Sequence, residues 1–136
     1  MKKEDCIFCK IANGEIPSKT IYEDDDFRVI LDISPATKGH ALILPKEHYA
    51  DIYELDEELA AKAIRLAKKL AIKMKERLGC EGFNIVQNNG ELAGQTVFHF
   101  HMHLIPRYQD DNQKIGWNPT SPADKELEEI KEKMTK

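Results

Sequence analysis

The chain has no apolar run approaching the roughly 20 residues of a membrane span. Its opening, MKKEDCIFCK, carries two lysines but no apolar stretch of secretory-leader length behind them. These absences predict a cytoplasmic protein without a membrane partner. No segment is basic throughout and the net charge is −4. That argues against nucleic acid as the main partner, because such binding rests on clustered Lys and Arg facing phosphates. A small anion stays open, since a few local donors can hold one. Cysteines number only three, Cys6, Cys9 and Cys80; in the cytoplasm they favour free thiols or metal ligation over structural disulfides. There are no internal repeats or low-complexity tracts. Also missing are GxxxxGK followed by Ser or Thr, a GxGxxG after a strand, and GxSxG. Neither a glycine-rich phosphate loop nor a serine nucleophile elbow is supported.

What is present is concentrated in GQTVFHFHMHLIPRY, from Gly94 to Tyr108. His99, His101 and His103 alternate there with Phe98, Phe100, Met102 and Leu104, the period of a half-buried strand. This places the even-numbered residues in the core and three imidazoles in a row on the other face. Three histidines in five residues are too many to read as ordinary solvated positions. One zinc held by all three is disfavoured by length. At about 3.3 Å per residue, His99 and His103 stand about 13 Å apart, whereas each zinc–nitrogen bond is about 2.0–2.1 Å. His101 and His103, about 6.6 Å apart, could both reach one phosphate, which leaves His99 for another role. A neutral imidazole is a good nucleophile near pH 7, and a ring nitrogen that donates to a carbonyl leaves the other nitrogen's lone pair pointing outward. Attack on phosphorus by His101 would give a covalent phosphohistidine-type intermediate. Gly94 allows close backbone approach to a ligand, and Gln95 and Thr96 add an amide and a hydroxyl beside it that would stabilise phosphoryl charge.

Cys6-Ile-Phe-Cys9 is half of a zinc site, a redox pair or chance; the redox reading lacks its βαβ context. Lys10–Pro17 reads as a short helix or turn. Strands are expected at Thr20–Glu23, Phe27–Ile33, Gly39–Leu44 with Pro45, and Phe83–Gln87. Asp32, in an apolar strand, either caps the turn at Ser34 or accepts hydrogen bonds from paired hydroxyls, as carboxylates do with ribose. Leu55–Leu78 is the one long helix, with Asp56 as N-cap, Gly79 at C′ and an apolar stripe of Leu59, Ala63, Leu66, Leu70, Met74 and Leu78. Asn88–Gly94 is a loop with an Asn89-Gly90 turn signal. Ser121-Pro122 opens a charged C-terminal helix whose Leu127, Ile130 and Met134 predict packing on a surface.

His99-Phe-His101-Met-His103-Leu-Ile resembles the signature of the histidine triad family. CIFCKIANGEIPSKTIYEDDDFRVILDISPATKGHALILPKEH resembles the N-terminal half of the family's nucleotide-binding branch almost throughout. The resemblance covers about Cys6 to Tyr108 and implies an α+β fold: an antiparallel sheet with one long helix, a short N-terminal helix and an added C-terminal helix. Residues 1–136 then form one domain, with its core at about 5–108 and an extension at 109–136. The resemblance makes His101 the nucleophile toward the α-phosphorus of a purine nucleotide such as AMP or GMP, with His103 on the phosphate. Gln95, Thr96 and Asn88 match residues flanking the phosphate, and Gly94 adjoins them. Asp32 matches the carboxylate on the ribose hydroxyls. Phe8, Ile11, Ile16, Ile33 and Leu42 match the apolar base pocket, and His40 a histidine near the catalytic cluster. Zinc-containing relatives imply one structural zinc per chain on Cys6, Cys9, His48 and His99. Family members usually form a two-fold dimer, here through Phe83–Gln87 and the long helix.

The expected activity is hydrolysis of purine nucleoside 5′-phosphoramidates or related nucleoside monophosphate adducts. GQTV and LIPR resemble the fragile histidine triad branch instead, which supports a rival: dinucleoside polyphosphate hydrolysis. A third reading is a nucleotide-binding scaffold with little turnover. The uridylyltransferase relatives carry glutamine where this chain has His103, which disfavours transferase chemistry.

Overall fold

The computed structural model describes residues 2–136. Strands β1 (Thr20–Glu23), β2 (Phe27–Leu31), β3 (Ala41–Pro45), β4 (Gly82–Val86) and β5 (Met102–Arg107) form one sheet in the order β1-β2-β3-β5-β4. Every neighbouring pair is antiparallel, as expected for the α+β class. Alternation sorts the side chains. Val29, Ala41, Ile43, Met102 and Leu104 join the core under the long helix α2 (Glu57–Leu78). Ile30, Leu42 and Leu44 face the short helix α1 (Ile7–Ala12) on the other side, where Phe8 and Ile11 pack against them. His103 pairs with Leu42, and paired residues share a face. The histidine side of β5 is therefore the side of the sheet on which α1 packs, against β2 and β3.

The long helix forms where its local signals place it. Asp56 accepts the Leu59 N–H, and Gly79 closes the helix in the left-handed region at φ 68°. Its stripe of Ala63, Leu66, Leu70 and Met74 is buried, with Leu59 and Leu78 at the margins. Three expectations need correction. α1 starts at Ile7 rather than Lys10, because the Cys6 Sγ accepts the Cys9 N–H and caps a helix that contains the second cysteine. Residues 98–101 do not belong to β5. Residues 98 and 99 are bends and 100 and 101 are irregular, and Phe98 is half exposed rather than in the core. The C-terminal helix α3 (Asp124–Thr135) packs on no surface of its own chain. None of its residues is buried, and Leu127, Ile130 and Met134 are all exposed.

Gly39 delivers the chain into β3 just before His40. Its φ is +92°, and an added Cβ would lie 2.5 Å from Leu78 Cδ1 and 3.3 Å from Pro106 Cγ. Left-handed backbone strain and overpacking then act together. Gly39→Ala is expected to destabilise the protein by about 2–3 kcal/mol, read as a shift of the urea midpoint at unchanged m-value.

Candidate functional site

The first part of the site is a chain of imidazoles whose tautomers follow from their neighbours. The Ala36 backbone N–H donates to His40 Nδ1 at 2.8 Å. A neutral His40 therefore carries its proton on Nε2, which lies 2.9 Å from His103 Nδ1. His103 accepts there, and its own proton sits on Nε2 as an unused donor. His101 Nδ1–H donates to the His99 carbonyl at 2.8 Å, so its Nε2 presents a lone pair. The His101 and His103 rings lie 5.1 Å apart. An acceptor-seeking N–H and a nucleophilic nitrogen thus stand side by side, which is what a phosphoryl group needs.

Burial keeps these rings neutral. It lowers the pKa of His101 and His40, and takes His103 to about 4 with the help of its histidine neighbours. Asp32 completes the row: Oδ1 accepts the Ser34 N–H at 2.8 Å, and Oδ2 lies 3.6 Å from His40 Nε2. Both readings of Asp32 begin here, since it does cap the turn and its second oxygen faces the site. Asp32, His40 and His103 are close enough to hold a cation. The Nε2 proton of His40 points into that space, however, and the Ala36 donor fixes it there.

The remaining residues divide. Phe8 stands edge-on to His101 with ring centroids 5.0 Å apart, and Ile11 and Leu42 pack beside it. Ile16 and Ile33 lie outside that packed group, and Ile33 is 96% exposed. Gly94 lies against the Asn88 amide, whose Nδ2 would be 3.5 Å from an added Cβ. Thr96 is exposed. Gln95 is buried and spent on the loop itself: Oε1 accepts the Gly90 N–H, while Nε2 donates to the Ala50 and Val97 carbonyls. Its observed role is to brace the loop before the histidines.

The second part is a cluster of Cys6, Cys9, His48 and His99 whose ligand atoms all lie within 4.8 Å of one another. His99 Nδ1 is 3.4 Å from both sulfurs, and His48 Nδ1 is 3.4 Å from Cys9 Sγ. A tetrahedral ion with bonds of about 2.3 Å to sulfur and about 2.0–2.1 Å to nitrogen separates S and N by about 3.5 Å. The spacing therefore fits one metal. The hydrogen bonds behind the ligands fit too. His99 Nε2 donates to the Pro45 carbonyl at 2.8 Å, which turns the Nδ1 lone pair toward the sulfurs. Backbone N–H groups of Cys9 and Lys3 point at Cys6 and Cys9 Sγ respectively. Burial pushes the Cys9 thiol up and His99 down to about 4. Four donors leave no open position, the mark of a structural rather than catalytic site.

Composition and periodicity could not reveal the backbone groups that set these tautomers: Ala36 N–H, Pro45 C=O and His99 C=O. They carry no residue-type signal and become visible only as distances.

A HIT domain matches residues 13–110. The chain belongs to the HIT family. Adenosine 5′-monophosphoramidase hnt1 of Schizosaccharomyces pombe is 42% identical over 122 residues, 88% of this chain and 89% of that one. The crystal structure of SMU.412c from Streptococcus mutans UA159 superposes with a TM-score of 0.93 at 42% identity, covering 98% of this chain and 85% of that one. The crystal structure of a Zn-bound histidine triad family protein from Mycobacterium smegmatis superposes at 0.78 with 39% identity, covering 85% and 84%. The HIT fold expected from the histidine signature is thus the fold observed.

Proposed function

We propose that this HIT protein is a nucleotide-binding hydrolase that cleaves purine nucleoside 5′-phosphoramidates or related nucleoside monophosphate adducts. The observation that carries the reading is the tautomer pair: His101 Nε2 with its lone pair exposed, next to His103 Nε2 with its proton exposed. His101 Nε2 donates its lone pair to the α-phosphorus. The phosphorus–nitrogen bond to the leaving group breaks with its electron pair, and the departing amine takes up a proton. The imidazole becomes cationic as the bond forms, and the His99 carbonyl already accepting its Nδ1–H stabilises that charge. His103 donates to a phosphoryl oxygen. Water then adds to phosphorus and gives up a proton, and the bonding pair returns to His101. AMP or GMP leaves.

Phe8, Ile11 and Leu42 would form the wall for the base, with Ile16 and Ile33 closing over it. Asp32 would hold the ribose hydroxyls, and Asn88, Gly94 and Thr96 would frame the phosphate on the loop that the buried Gln95 amide braces. The relative named adenosine 5′-monophosphoramidase supports this leaving-group class. Side-by-side rates on an adenosine phosphoramidate and a diadenosine polyphosphate test it. Faster turnover of the polyphosphate would overturn the substrate assignment. The GQTV and LIPR segments favour that second reading.

The Cys6, Cys9, His48 and His99 cluster is proposed to hold one structural zinc, on the strength of its donor set and of the Zn-bound relative. A homodimer is proposed through β4 and α2, because β4 is an edge strand and Ile64, Ile72 and Ile85 point outward, about half exposed. No helix among the described residues is long and apolar enough to cross a membrane.

The depressed histidine pKa values give a pH prediction. Buried His103 binds no proton in the folded chain until about pH 4, whereas an unfolded histidine does so near 6.5. Between those values the unfolded state holds more protons, so stability from this group is full above about pH 6.5 and lost as pH falls toward 4. The acid limb of kcat/KM is expected below pH 6.5 for the same reason. A limb centred at or above an ordinary histidine pKa would contradict neutral, buried rings.

A further inference from the structure

The geometry points to a second ligand site, on the opposite side of the sheet from the histidine row: a groove for a single-chain amphiphile with an anionic head. It is independent of the nucleotide reading. One face of α2 builds it. Leu70, Lys73, Met74, Arg77 and Leu78 recur at the three- and four-residue spacing that brings helical side chains together. They face Ile21 on β1, Leu31 on β2 and Gly39. Leu31 packs on the core under α2, whereas its neighbour Asp32 lies beside His40 on the other side. Leu31 and Leu78 are only partly buried, and Ile21 is exposed on the edge strand. The space between them is about 370 Å³, within the range of about 300–1,000 Å³ that small-molecule sites occupy.

Charge decides the occupant. The floor is apolar, but Lys38, Lys73 and Arg77 stand exposed at its rim and no carboxylate lines it, although the chain carries a net charge of −4. Neighbouring clefts mix their signs. Lys62, Arg65 and Lys69 share one with Asp24 and Asp26, and Lys38 faces Glu81, Asp110 and Asp111 in another. Lys73 and Arg77 form no ion pair among the described residues. They stand one turn apart, so an anionic head between them meets both, and the Arg77 guanidinium offers a planar fork to its oxygens. The apolar chain then lies along Leu70 and Met74 and sheds its water. A concave groove takes one such chain from solution, where a bilayer would need a flat or protruding face. The site also stays open in the proposed dimer: at about 100° per residue, Ile64 and Ile72 fall on the other flank of α2.

The probe is decanoate, kept below its micelle concentration and titrated into the full chain by calorimetry and methyl NMR. Saturable binding at one site per chain is expected, with shifts at Ile21, Leu31, Leu70 and Met74. Affinity is expected to rise about fourfold per methylene from hexanoate to decanoate. Lys73→Gln combined with Arg77→Gln is expected to weaken decanoate by about tenfold at low salt and to leave decanol unchanged. Added salt should discriminate between the two probes in the same way. Ile21→Trp changes an exposed edge position and fills the groove, so it should abolish binding while the circular dichroism spectrum stays the same. Equal affinity for decanol and decanoate overturns the anionic site. So does displacement of decanoate by AMP, or a set of shifts confined to the histidine face. Binding of anionic phosphatidylserine vesicles without binding of decanoate would make the basic rim a membrane contact instead. Self-association that Ile130→Asp disperses, and that shuts decanoate out, would give the groove to α3 of a second copy; either result overturns the proposal.

Discussion

Replacing His101 with alanine is expected to lower turnover of an adenosine phosphoramidate by about four to six orders of magnitude, the range seen when a covalent nucleophile is removed. The size follows from the geometry. Of His40, His101 and His103, His101 alone combines an inward proton with a free lone pair: its Nδ1–H is taken by the His99 carbonyl at 2.8 Å. His103 and His40 both have Nδ1 engaged as acceptors, so their outward or shared nitrogens carry protons. Neither can take over the attack without breaking the Ala36 contact that sets the row. The variant is expected to keep its fold and its metal, since His101 supplies no ligand to the cluster. His101→Asn is the sharper control, because its amide can still donate to the His99 carbonyl but offers no nucleophile. Steady-state rates with circular dichroism on both variants decide the matter. Near-normal turnover in either folded variant would eliminate the covalent mechanism.

Loss of the metal should have the largest effect on stability. Purified protein is expected to contain about one zinc per chain by elemental analysis, and Cys9→Ser to contain none. A ligand present at a thousandfold excess over its Kd contributes about 4 kcal/mol, which in a chain of this size is about 10 °C or more in Tm. The structural reason is that the four ligands come from α1, from residue 48 and from residue 99. α1 is only six residues long, and Phe8, Ile11 and Ala12 are its apolar contacts with the sheet, so a metal would add a second, polar attachment through Cys6 and Cys9. Metal binding must also expel the proton that burial holds on the Cys9 thiol, so occupancy is expected to fall with acid. Native protein free of metal, or a Cys9→Ser variant with unchanged Tm, would refute the assignment.

The parts of this molecule that were legible from residues alone are those decided by neighbours in sequence. The α2 boundaries are readable because Asp56 caps the helix that starts at the next residue, accepting the Leu59 N–H three residues ahead, and Gly79 follows its last residue. The antiparallel pairing follows from the family resemblance rather than from periodicity, which tells only which face a strand residue takes. The histidine signature and the CxxC are contiguous motifs, and a family resemblance built on them named His48 and His99 as companions of the cysteines. The structure brings all four together.

Alternation failed where distant groups outcompete the ladder. Residues 98–101 keep a strand's period, yet the Phe100 N–H goes to the Tyr49 carbonyl, beyond the end of β3, rather than into the ladder, so Phe98 turns outward and the strand starts late. α1 was misplaced because a cysteine sulfur caps it, a role the usual capping residues do not announce. α3 shows an amphipathic stripe that nothing in its own chain covers, since a sequence reports which face is apolar but not what meets it. The sequence by itself determined which reactive side chains stand together: three histidines on one parity and two thiols three apart. Only the tertiary structure decided which ring nitrogen of each histidine is engaged and which is free, because a ring's tautomer is set by the backbone donor or acceptor beside it. Those atoms, at Ala36, Pro45 and His99, are the same in every residue and have an identity only through their position.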